Sequence, residues 1–198
     1  YDNIMMGIQL LHEAKNSNVE KFITLGTVCS YPKFTPIPFS ENEIWNGFPD
    51  ESNAPYGISK KIMLVQSDAY LRQYGFNSIS VIPTNLYGPE DDFNIETANV
   101  IPGIILKISN AVKTDAKEVV LWGDGSATRD FLFVDDAADG IILAAQKYDN
   151  VSPINLGAQK ETSIKELATL IAEIMKFSGD ITWDDTKANG QPRRCVSN

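Results

Sequence analysis

The 198-residue chain is 43% hydrophobic and 22% charged, an ordinary globular composition with enough length to bury a substantial core. Its net charge of -9 argues against a nucleic-acid surface, since no basic stripe is available to neutralise phosphates, but leaves room for a small anionic ligand at a local Lys/Arg cluster. Two cysteines (Cys29 and Cys195) and one histidine (His12) argue against a disulfide framework, a His-based triad and a metal site. No apolar run approaches the roughly twenty residues of a membrane span, and no signal peptide is visible, so a cytoplasmic protein is expected.

In chain order, Ile4, Ile8 and Leu11 share one face of a helix over residues 3–16, which Asp2 or Asn3 can cap. Residues 21–26 form a short apolar run that reads as a buried parallel strand. The long segment 27–53 carries Pro32, Pro36, Pro38, Pro49, Trp45 and Phe48, too aromatic for disorder and therefore read as a functional loop. Pro55 suits the first turn of a helix that runs to Gly75, and 77–83 is the next buried strand. Beyond Pro89 come a helix over 100–112, a strand at 118–122, a turn at Gly123–Gly125 and a strand at 130–134. Asp135 and Asp136 would then cap a helix to about Gln146, followed by a strand at 153–156. Ser163-x-x-Glu166 is a capping box for a helix turning Ile164, Leu167, Ile171 and Ile174 inward, and 180–183 is a weak strand.

Helix, strand and loop alternating in this way is α/β syntax, in which sites lie beyond the carboxyl ends of strands. Both Thr27–Cys29 and Thr84–Leu86 fall there. Tyr56 and Lys60, spaced i to i+4, share a helix face, and an ammonium beside a phenol favours phenolate, which suits a general acid/base. The same spacing also arises as a solvated pair; the neighbouring strand ends favour the chemical reading.

The motifs Tyr56-x-x-x-Lys60, Asn85-Leu-Tyr-Gly-Pro89, Trp122-Gly-Asp-Gly125 with Arg129–Asp136, and Ile154-Asn-Leu-Gly157 together resemble the extended short-chain dehydrogenase/reductases that act on nucleotide sugars, the NAD-dependent epimerase/dehydratase family. The likeness covers nearly the whole chain; Gly26–Lys33 and Pro83–Pro89 look most like the GDP-L-fucose synthase branch. It implies an enzyme using NADP, with NAD as the alternative, to reduce a GDP-linked 4-keto-6-deoxy sugar, with or without epimerisation. Tyr56 would protonate the C4 oxygen, Lys60 would hold the nicotinamide ribose, and Thr27 would donate to the substrate oxygen, although capping a strand end is its plainer role. Cys29 matches the base that removes protons beside the ketone; a small buried hydrophobe is the alternative for it, and Cys195 is read as structural. Pro83, Asn85 and Leu86 would line the nicotinamide, with Asn85 also touching substrate. Asn99, Val100, Ile104, Lys107, Trp122 and Arg129 would meet the nucleotide sugar, core packing being the alternative for Trp122; Lys33 and Arg193 are weaker candidates.

Two departures stand out. Asn99 occupies the position of the family's epimerisation histidine, and an amide cannot shuttle a proton near neutrality, which sets reduction above double epimerisation. Lys107 replaces an arginine, giving a point charge instead of a fork. The glycine-rich dinucleotide fingerprint is missing and would precede Tyr1 in the family. The resulting expectation is a partial Rossmann doubly wound parallel sheet (residues 1–86 and 131–157) plus a smaller α/β nucleotide-sugar-binding domain (87–130 and 158–198). The resemblance also implies a homodimer through the 56–71 helix. An NAD-retaining 4-epimerase or 4,6-dehydratase, and a non-catalytic nucleotide-sugar-binding module, are the alternatives.

Overall fold

The computed structural model describes residues 1–187 and 190–197. In chain order its elements are α1 (Asp2–Asn16), β1 (Phe22–Leu25), 3-10 turns at Val28–Ser30 and Glu41–Trp45, α2 (Ala54–Tyr74), β2 (Ser78–Pro83), β3 (Asn85–Tyr87) and α3 (Val100–Lys113). There follow β4 (Glu118–Trp122), β5 (Thr128–Phe133), α4 (Val134–Lys147), β6 (Ile154–Leu156), β7 (Glu161–Ser163), α5 (Ile164–Ile174), β8 (Asp180–Asp184) and β9 (Arg193–Arg194). The chain folds into two compact units. The first comprises Tyr1–Leu86, Leu132–Gln159 and the tail from Cys195; the second comprises Tyr87–Phe131 and Lys160–Arg194.

The first unit is built on a parallel sheet of order β1-β2-β6, with Leu25 opposite Val81 and Pro83 opposite Leu156. Every residue of β2 is buried, as a central parallel strand covered on both faces requires. Ile79 and Val81 pack with Ile141 and Ala144 of α4 and with Tyr148, the residue that follows it. Leu11, Met63, Tyr70 and Phe22 form a separate cluster joining α1 and α2 to the sheet, and the Ser67 and Ser78 hydroxyls meet at 2.8 Å. Successive residues of β2 thus serve opposite layers, which makes the sheet doubly wound. Lys21 fixes the far end of α4: its ammonium donates to the Ala145 and Tyr148 carbonyls and pairs with Asp149 at 2.7 Å.

The second unit packs α3 and α5 on the parallel pair β4–β8, around Ile104, Ile108, Val119, Leu121, Leu167 and Ile171. β5 pairs antiparallel with β7 and parallel with β9. The capping box of α5 forms as expected, with Ser163 Oγ accepting from Glu166 N at 3.1 Å and Ser163 N donating to the Glu166 carboxylate at 2.9 Å.

Several expectations are corrected. Ile174 is 71% exposed, because the buried stripe advances by fours from Ile171 to Met175 and turns position 174 outward. α4 starts one residue before the aspartates, with Phe133 as N-cap; Asp135 and Asp136 make no cap bond and act on the helix dipole from inside the first turn. Tyr1, not Asp2 or Asn3, is the N-cap of α1. The tail from Cys195, expected in the second unit, belongs to the first: Phe39 N donates to Cys195 O at 2.8 Å, Ser197 N donates to Phe39 O at 2.9 Å, and Val196 is buried.

Candidate active site

Parallel pairing brings the carboxyl ends of β1 and β2 to one edge of the first sheet, where Gly26 N donates to Val81 O at 2.8 Å. From that edge the chain leaves β1 through Thr27, which caps the 3-10 turn Val28–Ser30: its Oγ1 accepts from Cys29 N at 3.2 Å. This is the capping role anticipated for Thr27, and it engages a lone pair while leaving the hydroxyl proton to donate. Thr27 is buried and Cys29 half-buried.

The start of α2 sits directly on this turn. Ser30 Oγ donates to Gly57 O at 2.9 Å, and a β-carbon at Gly57 would lie 2.2 Å from the Cys29 carbonyl oxygen. The helix is initiated by Pro55 in its first turn and tightened by Ser59 Oγ donating to Tyr56 O at 2.7 Å. Tyr56 immediately precedes the contact and is 42% exposed; Lys60 follows one turn later and is half-buried. Thr27, Cys29, Tyr56 and Lys60 are therefore carried by two backbone segments in van der Waals contact. Pro83 ends β2 at the same sheet edge, Thr84 N donates to Leu156 O at 2.9 Å, and Asn85 and Leu86 follow, the latter exposed. Gly57 is the close-contact position that sequence reasoning passed over; the signal was a glycine inside a helix with no turn to make.

Within the second unit, Asn99 and the α3 residues Val100, Ile104 and Lys107, with Leu121 and Trp122 of β4, Ile164 and Trp183, line a cavity of about 310 Å³. Trp122 is 68% exposed, so core packing is not its role. Lys107 Nζ stands 5.2 Å from the centroid of its ring and donates to Val120 O at 3.0 Å; Lys187 Nζ lies 6.0 Å from the same centroid. Desolvation lowers the Lys107 pKa, opposed by the Asp184 carboxylate. Asn99 is the N-cap of α3 yet makes no side-chain cap bond. Trp183 and Lys187 were not anticipated: Trp183 reaches the cavity only because β8 pairs in register with β4, which no local pattern encodes.

Three candidates are engaged elsewhere. Arg129 does not line the cavity; its Nη1 donates to the Thr128 and Gln191 carbonyls, both at 2.7 Å. Lys33 pairs with Glu51 at 2.7 Å, and Arg193 donates to the Glu161 carboxylate, with Nε at 3.0 Å. No cluster of metal-ligating side chains occurs among the described residues.

A parallel sheet with helices on both faces, a Tyr–Lys helix docked at its carboxyl edge and an aromatic, cationic cavity in a second unit define a class. The model of the NAD dependent epimerase/dehydratase family matches residues 1–157, and the chain belongs to that family. It is 41% identical over 182 residues to a probable GDP-L-fucose synthase 1 of Oryza sativa subsp. japonica, covering 92% of this chain and 56% of the relative. It is 37% identical over 205 residues to the GDP-L-fucose synthase of Escherichia coli K12, covering 99% and 64%. The crystal structure of a GDP-L-fucose synthetase from Naegleria fowleri bound to NADP superposes with a TM-score of 0.93 at 31% identity, covering 100% of this chain and 63% of that one. The chain thus spans roughly three fifths of the length of these relatives.

Proposed function

We propose that this chain carries the proton-delivery and sugar-nucleotide elements of an NADP-dependent reductase acting on a GDP-linked 4-keto-6-deoxy sugar. The observation that carries the reading is the docking of the Tyr56–Lys60 helix onto the Thr27–Cys29 turn at the carboxyl edge of a parallel sheet. The nicotinamide end of NADP fits this edge: exposed Tyr56, half-buried Lys60 and the strand-end residues Pro83, Asn85 and Leu86 offer donors and an apolar floor. The described residues contain no glycine-rich fingerprint, so only that end of the cofactor is assigned here. When bound, NADPH supplies the hydride that reaches C4 of the ketone. Tyr56 gives its phenol proton to the C4 oxygen as the carbonyl becomes an alcohol, and Lys60 holds the ribose hydroxyls and stabilises the phenolate left behind. Thr27 donates its hydroxyl proton to the developing alkoxide.

The cavity around Trp122 takes the nucleotide, with the indole face for the base and Lys107 for the diphosphate charge. This gives the first unit the cofactor role and the second the nucleotide-sugar role. Cys29 is a thiol base beside the ketone, but Asn99 cannot act as the opposing acid, so the reading is reduction without double inversion. Ile58 and Val65, exposed two turns apart on α2, support pairing of that face with a second copy in a homodimer. No described helix is long and apolar enough to cross a membrane.

The test is to supply the full-length protein with NADPH and GDP-4-keto-6-deoxymannose and follow NADPH absorbance. Oxidation with formation of a GDP-6-deoxyhexose is expected; unchanged absorbance at saturating protein sinks the reductase reading. Tightly held NAD in the purified protein would favour a 4-epimerase or 4,6-dehydratase instead.

A further inference from the structure

Asn155, in the middle of β6, engages its whole side-chain amide. Its Oδ1 accepts from Tyr31 Oη at 2.7 Å, and its Nδ2 donates to Phe39 O at 2.9 Å and Ser197 O at 3.0 Å. Its backbone N–H donates to the Glu41 carboxylate at 2.8 Å. The site is buried: Asn155 is 7% exposed and Tyr31 and Phe39 are 2% exposed, their rings packed 5.1 Å apart. Four chain segments converge on this one amide: the start of the 27–53 loop, its middle, a core strand and the tail.

Tyr31 is also the residue that closes the 3-10 turn Val28–Ser30, its backbone N–H donating to Val28 O at 3.2 Å. On the α2 side the turn rests on Gly57; on the other, the Tyr31 hydroxyl tethers it to Asn155 of the sheet. We propose that Asn155 is a positioning residue which, through Tyr31, holds the turn presenting Thr27 and Cys29 in register with Tyr56. This rests on the reading above that Thr27 and Cys29 face the substrate.

The chemistry of the hub requires an amide. A carboxylate could still accept from Tyr31 but would donate nothing to the two carbonyls, and an aliphatic side chain would take all three side-chain bonds from a buried site. Burial pushes the Tyr31 phenol far above its ordinary range, so it remains a neutral donor at any working pH.

The experiment is peptide-resolved alkylation of the native full-length protein by iodoacetamide, run beside steady-state kinetics. Tyr31→Phe keeps the ring and deletes one bond; it should raise the Cys29 alkylation rate by about fivefold or more while buried Cys195 stays protected. In the same variant kcat should fall by roughly tenfold at little-changed KM, as expected of a displaced catalytic turn. Asn155→Ala should do the same and more. Ser197→Ala, which removes only the tail's Oγ bond to Phe39 O, should leave both readouts as in the wild type. If Tyr31→Phe lowers the melting temperature but leaves Cys29 labelling and kcat unchanged, Asn155 is merely structural and the proposal is overturned. A wild-type protein that oxidises no NADPH would defeat the functional reading, while the labelling comparison would still decide the positioning claim.

Discussion

The space for a side chain at Gly57 is already taken by the Cys29 carbonyl oxygen, which cannot swing aside as a flexible side chain would. The proposed proton donor Tyr56 and the proposed hydroxyl donor Thr27 are therefore spaced by backbone contact, the stiffest ruler a protein has. Gly57→Val should push the two segments apart, lowering kcat by about a hundredfold and stability by about 1–3 kcal/mol, measured by NADPH oxidation and thermal unfolding. Wild-type turnover in that variant would show that the contact sets nothing. At this scale the sequence displayed reactive groups and concealed their partners. The placing of Tyr56 and Lys60 one turn apart on a single helix was legible because four residues along a helix is a fixed geometry. Lys33 and Arg193 were not, because Glu51 and Glu161, which hold them, are brought near only by folding. Trp122 could have been core or surface until its strand acquired a neighbour.

Elements long enough to show a period were readable, and α5 shows the limit of that rule. Its capping box and its inward Leu167 and Ile171 followed from spacing, whereas Ile174 fell on the wrong side as the stripe advanced toward Met175. β3, β7 and β9 have three residues or fewer and carry no period at all; they exist through pairing with distant segments, as β9 does with β5. That ribbon should be acid-sensitive. The Arg193 guanidinium, with help from the Thr128 hydroxyl, holds the Glu161 carboxyl below its ordinary range, against an opposing push from partial burial. A depressed folded pKa gives stability that is present above the unfolded value and is lost as pH falls through the folded one. Thermal unfolding followed from about pH 6 down to about pH 3 should lose stability on the acid side, and Arg193→Ala should flatten that dependence. An unchanged slope in Arg193→Ala would assign the acid sensitivity to other carboxylates.

For the molecule as a whole, helix–strand alternation and the buried run of β2 sufficed to reach a doubly wound sheet. The return of the tail to the first unit was hidden, because Cys195–Ser197 has no period and its partner Phe39 lies in an irregular loop. The tail's place on Phe39 is a matter of stability as well as topology. Stopping the chain after Arg194 would strip Phe39 of its two backbone bonds, Asn155 of one acceptor and the loop cluster of Val196. Such a truncation should lower the melting temperature by several degrees, from a loss of about 2–4 kcal/mol. A melting temperature equal to that of the full chain would show the tail to be passive.

That same tail imposes an order in time. Synthesis runs from low to high residue number, so the 27–53 loop and Asn155 leave the ribosome before residue 197 does. Until then the amide of Asn155 has one donor group idle and the loop beneath Tyr31 is open along one side. The turn presenting Thr27 and Cys29 would thus acquire its final geometry only after residue 197 has been made.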